Sequence, residues 1–198
     1  MLATAKSERG VTLIETMVSL VIFAGLLGMA APAFSVWLQN GQIRTAAEAI
    51  LNGLQLARAS AVQRNSLVSF QLTSTLTSDC AVSTSGPDWV VSVDDPTGAC
   101  NTPASETAAP RIISSRPGSE GSRNAVIAAD ESRITFNGLG RRVNAVSSAD
   151  TNINISNPSG GNCVADGGEM RCLRVIVSAS GQVKMCDPSV AATDTRGC

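Results

Sequence analysis

Histidine and tyrosine are absent from this 198-residue chain, and four phenylalanines and two tryptophans are its only aromatics. Without histidine there is no Ser-His-Asp triad, no imidazole general base and no imidazole metal ligand. The formal net charge is −1, which excludes a globally basic nucleic-acid binder. Cys-x-x-Cys pairs are missing too, which argues against zinc for the six cysteines. Charge itself is missing over one long stretch: after Glu15 no charged side chain occurs until Arg44. Trp37 and Trp89 read as a membrane-proximal anchor and a core residue, not as base-stacking platforms.

What is present begins in that uncharged stretch. Residues 11–38 hold enough apolar side chains to cross a bilayer, which takes about 20. Pro32 inside the run is expected to kink a membrane helix, not to end it. One carboxylate, Glu15, sits in the first turns. An ionisable group there costs about 2.5–3.5 kcal/mol on insertion scales, so a functional reading comes first. Lys6 and Arg9 precede the run and favour a cytoplasmic N-terminus, which places the C-terminal part outside the cytoplasmic membrane. A Sec signal would carry its own apolar core and an Ala-x-Ala-like site after it; here the polar segment 1–10 comes before the run.

The segment Arg9-Gly10-Val11-Thr12-Leu13-Ile14-Glu15 resembles the processing site of type IV pilins and type II secretion pseudopilins. The resemblance implies cleavage after Gly10 by a prepilin peptidase and methylation of Val11, where the family usually has Phe or Met. It also implies that Glu15 pairs with the methylated amine of a neighbouring subunit during assembly. A desolvated carboxylate demands such a partner. The organisation expected is a leader over 1–10, a transmembrane helix half over 11–38, an amphipathic helix half over 39–65 and a periplasmic β-domain over 66–198.

In the amphipathic half, Ile43, Ala47, Ile50, Leu54, Ala57 and Ala61 repeat at helical spacing and define one buried face. Arg44 and Glu48 are placed to pair across one turn, and the helix should stop near Arg64-Asn65. Beyond it, strands are expected at 67–72, 89–93, 111–114, 133–136, 152–156, 173–178 and 182–185, with loops at 73–88 and 94–110. The segments Leu54 to Asn65, Ile134 to Arg141 and Val175 to Gly181 resemble the GspH/FimT-like group of minor pilins. That resemblance implies an α+β, pilin-like fold: a long N-terminal helix packed on two small antiparallel sheets. Outside the cytoplasm, Cys80, Cys100, Cys163, Cys172, Cys186 and Cys198 are expected to form disulfides. Of 15 connectivities, sequential pairing is the expectation.

The leading function is therefore structural, with no catalytic residues, metal or cofactor. A minor subunit would help initiate or cap an inner-membrane-anchored type IV pilus or type II secretion pseudopilus, with other pilins or pseudopilins as partners. Cys186-Asp187-Pro188 and the closing Cys198 resemble the pilus branch more closely. The alternative is a DNA-binding minor pilin acting in DNA uptake. Some pilus-branch members use a Gly-Arg-x-Arg motif, replaced here by Gly181-Gln182-Val183-Lys184; Lys184, Arg171, Arg174 and Arg196 are the candidates for DNA contact. A second basic cluster, Arg133, Arg141 and Arg142, reads as a solvated face. The acid pairs Asp94-Asp95 and Asp130-Glu131 read as solvated loops, with an active site as the alternative for either and a calcium loop as a further one at Asp94-Asp95.

Overall fold

The computed structural model describes residues 10–143 and 149–198, apart from the side chains of 30–32. The expected leader, Gly10 excepted, and the side chain of Pro32 with its expected kink lie outside the described residues. Two compact units emerge, one ending at Ser35 and the other running from Val36 to Cys198.

Helix α1 spans Leu13–Arg64. Its part in the first unit exposes Leu13, Ile14, Val18, Val21, Phe23 and Leu26, each more than half accessible. Among the described residues no single helix is long and apolar enough to cross a membrane; Leu13–Met29 and Ala33–Arg64 together are, by length and composition.

In the second unit α1 becomes the spine of the core. Ile43, Ala47, Ile50, Leu54, Ala57 and Ala61 are at most 1% exposed, so the helical spacing places every one of them on the buried face. Arg44 Nε donates to Glu48 Oε1 at 2.9 Å on the exposed face. The helix stops in a Schellman arrangement: Asn65 takes φ +47°, its N–H donates to Val62 O, and Ser66 N–H donates to Ala61 O.

Among the described residues nine strands follow: β1 Val68–Thr73, β2 Asp88–Ser92, β3 Ile112–Arg116, β4 Val126–Ala129, β5 Arg133–Phe136, β6 Arg142–Val143, β7 Thr151–Ser156, β8 Leu173–Val177 and β9 Val183–Cys186. They form two antiparallel sheets, ordered β3-β2-β1-β5-β6 and β4-β7-β8-β9. Phe70, Leu72, Trp89, Val91, Ile134 and Phe136 of the first sheet join Ile127, Ile153, Ile155, Val175 and Val177 of the second. All pack with α1 in a single core. Strands β4 and β6 fall outside the seven expected.

The outer face of the first sheet is polar yet buried. Ser69 and Thr135 share a hydroxyl hydrogen bond at 2.9 Å, and Gln71 Nε2 donates to Ser92 Oγ at 3.0 Å. A small second core of Cys80, Val90, Cys100 and Ile112, with Leu76 against it, sits here. The disulfides join Cys80 to Cys100, Cys163 to Cys172 and Cys186 to Cys198. Loops of 20, 9 and 12 residues are closed, each stabilising by about 2–4 kcal/mol.

The three signature segments meet at one end of this unit. Arg58 Nε on α1 donates to Gly140 O at 3.0 Å. Gly138 abuts Asn65, and Gly181, in the turn between β8 and β9, abuts the Gly140 carbonyl. The resemblance in these segments thus falls on a backbone joint between helix and both sheets.

Candidate functional site

The N-terminal candidate is built by the first turns of α1. Glu15 N–H donates to Thr12 Oγ1 at 3.3 Å, and Ser19 Oγ donates to Glu15 O at 2.7 Å. An acid in the first turn is favoured by the helix dipole. Its carboxylate, however, has no hydrogen-bond or ion-pair partner among the described residues. It shares a surface hollow with Val11, Ser19, Leu20 and Phe23. A Cβ on Gly10 would meet nothing within 4 Å, so packing does not require glycine there.

The basic candidates lie on or near the second sheet, in different states. Lys184 is exposed on β9, opposite Ile176. Arg174 is half-buried on β8, and its Nε donates to Asn154 Oδ1 at 2.7 Å. Arg171 is exposed, with its backbone N–H donating to Asn40 Oδ1 at 2.7 Å. Arg196 is paired with Asp194 at 2.9 Å, and that guanidinium holds the Asp194 carboxyl down to about 2. Its charge is largely neutralised within its own loop.

The acid pairs are not simply solvated. Asp94 receives Arg111 through two guanidinium nitrogens, which lowers its pKa. Asp95 is held at about 2, first by the Thr97 hydroxyl and then by Arg133, against the opposing effect of partial burial. Asp130 accepts from both Asn152 nitrogens at 2.9 and 3.0 Å. Glu131 and Arg142 are 3.7 Å apart with side chains only 9% and 1% exposed, and Arg142 also reaches Thr151 and the Ala149 carbonyl. Of Arg133, Arg141 and Arg142, read as a solvated face, Arg142 is therefore corrected. Arg142 is a buried link between the sheets, and Arg133, though exposed, clips the 94–110 loop; Arg141 is exposed and among the described residues has no ion pair.

Asp95 has a pH signature. Its unfolded pKa near 3.9 exceeds the folded value, so its contribution is present above pH 4 and lost as pH falls towards 2. The side chain is 54% exposed, so the contribution is discounted to about 0.5 kcal/mol. Between pH 6 and pH 2 the native chain should lose that much more stability than Asp95→Asn, read from urea midpoints. Equal losses would show that the contacts contribute nothing.

Among the described residues no group of three or more Cys, Asp or Glu is placed to hold a metal ion.

Comparison with known proteins matches residues 46–181 to the family model "Type II transport protein GspH" and residues 5–31 to the prokaryotic N-terminal methylation motif. Two crystal forms of the type IV minor pilin FimU of Pseudomonas aeruginosa have a similar fold. One is 18% identical with TM-score 0.51, covering 76% of this chain and 98% of that one. The other is 16% identical with TM-score 0.50, covering 77% and 93%. The solution structure of E. coli GspH is 17% identical with TM-score 0.42, covering 79% and 93%. No curated protein matches. With the methylation motif at its start and the GspH model over most of its length, the chain belongs to the GspH family of type IV minor pilins and type II secretion pseudopilins.

Proposed function

We propose that this chain is a minor subunit that helps initiate or cap an inner-membrane-anchored filament. Cleavage follows Gly10, and Glu15 receives the methylated amine of a neighbouring subunit. The N-terminus faces the cytoplasm and the β-domain the periplasm. The observation that carries this reading is the Glu15 carboxylate, unpartnered among the described residues and set among exposed apolar side chains. Left so in hydrocarbon it costs about 2.5–3.5 kcal/mol, which a cation from another subunit offsets. Gly10, free of any packing requirement, suits recognition by a peptidase.

Glu15→Ala is expected to insert in the membrane at the native level and to be depleted at least about tenfold from sheared filaments, the equivalent of about 1.4 kcal/mol. The measurement is the ratio of the subunit in the two fractions of cells expressing the variant as their sole copy. An unchanged ratio would reject the role given to Glu15. A DNA-uptake role receives less support, because Arg196 is engaged by Asp194 and Arg174 by Asn154, leaving Lys184 and Arg171 as the exposed cations of the four whose side chains have no partner among the described residues.

A further inference from the structure

A cavity of about 240 Å³ opens on the outer face of the second sheet. Asn154 and Ser156 of β7 and Arg174 of β8 line it from the sheet. Asp166 lines it from the loop closed by Cys163–Cys172, and Pro188 and Ser189 from the loop closed by Cys186–Cys198. The last of these loops lies beyond the residues matched by the family model.

Arg174 distinguishes this cavity. Its Nε is held by Asn154 Oδ1 at 2.7 Å, which fixes one edge of the guanidinium. Among the described residues neither Nη has a partner. Arg111, Arg133 and Arg196 each meet a carboxylate of their own chain. Arg174 is oriented in the same way, on a cavity floor, but no such carboxylate reaches it; Asp166 lines the same space without pairing with it. An oriented guanidinium with a free edge presents parallel donors suited to a two-oxygen acceptor. Asp166 also sets the ligand's charge, because an acid in the same small space disfavours a phosphate dianion relative to a carboxylate monoanion.

We propose that this cavity binds a carboxylate on a short side chain, about the size of glutamate, gripped by the two Nη groups of Arg174. The site does not depend on the role of Glu15. The carboxylate comes either from an acidic residue of a polypeptide or from a free small acid.

The test is a titration of the ¹⁵N-labelled full-length chain in detergent micelles, reading the Arg174 Nε–Hε resonance and the backbone amides of Asn154 and Ser189. N-acetylglutamate should give saturable shifts, with N-acetylglutamine and inorganic phosphate at least about tenfold weaker. Arg174→Gln should abolish the saturable amide shifts while the remaining spectrum stays native. Arg174→Lys should retain a weaker response, and Arg196→Gln the full one. Phosphate binding as tight as N-acetylglutamate, shifts that survive Arg174→Gln, or no saturation would each overturn the proposal. A capped Ala-Glu-Ala peptide separates the sources. Tighter binding of the peptide assigns the carboxylate to a polypeptide; equal or weaker binding assigns it to a small acid.

Discussion

Phe70→Ala is expected to destabilise the β-domain by about 3–5 kcal/mol, the range for deleting a buried aromatic ring. Phe70 is 1% exposed on β1, and its ring centroid lies 5.6 Å from that of Trp89. Opposite it on α1 is Gly53, where a Cβ would approach Phe70 Cε2 to 2.8 Å. Helix and sheet therefore meet over a glycine, and the ring fills the space that glycine leaves. Alanine at 70 leaves a void that the ladders from β1 to β2 and β5 prevent from closing. The check is the free energy of unfolding from urea titrations of the full chain in mild detergent, followed by tryptophan fluorescence. A loss under about 1 kcal/mol would mean that the site collapses without cost and that this ring is not central to the core.

Gly181→Ala is the second large effect, at about 2–4 kcal/mol. Gly181 adopts φ +85°, a region that costs a non-glycine residue about 1–3 kcal/mol. Space adds to conformation, because a Cβ here would run into the Gly140 carbonyl, the same carbonyl that accepts from Arg58. Relief requires moving the backbone of one turn away from the other, which loosens the joint between the sheets. Gly167 is the matched control: φ is +80°, but a Cβ would meet nothing within 4 Å. Gly167→Ala should therefore carry only the conformational cost of about 1 kcal/mol. The same urea titrations measure both, and equal losses would show that contact with Gly140 contributes nothing.

The helix of this fold was legible because its signals are local. Six apolar residues at helical spacing are enough to name the buried face of α1, and Asn65 is a residue that tolerates the left-handed geometry of a helix stop. Strand β5 was legible over its whole span because Ile134, Thr135 and Phe136 have strong strand preference. Strand β4 was not. Two of its four residues are alanine and Val126 is 46% exposed, so it is a strand chiefly because β7 hydrogen-bonds to it. Strand β6, two residues long, leaves no periodicity to read.

By itself the sequence determined the class of the protein: an uncharged apolar run with Glu15 near its start, a helix with one core face, and a cysteine-rich β-domain without catalytic histidine. These are properties of neighbouring residues, where composition and spacing suffice. Tertiary structure decided the rest, because each remaining choice depends on residues far apart in the chain. It buried Arg142 against Glu131 while leaving Arg141 exposed. Asp94 and Asp95 were spent on Arg111 and Arg133, and Arg196 was neutralised with Asp194. Arg174 was set in a cavity with one edge held by Asn154 and the other open. The state of a charge is fixed by the partner that folding brings to it, and spacing along the chain does not name that partner.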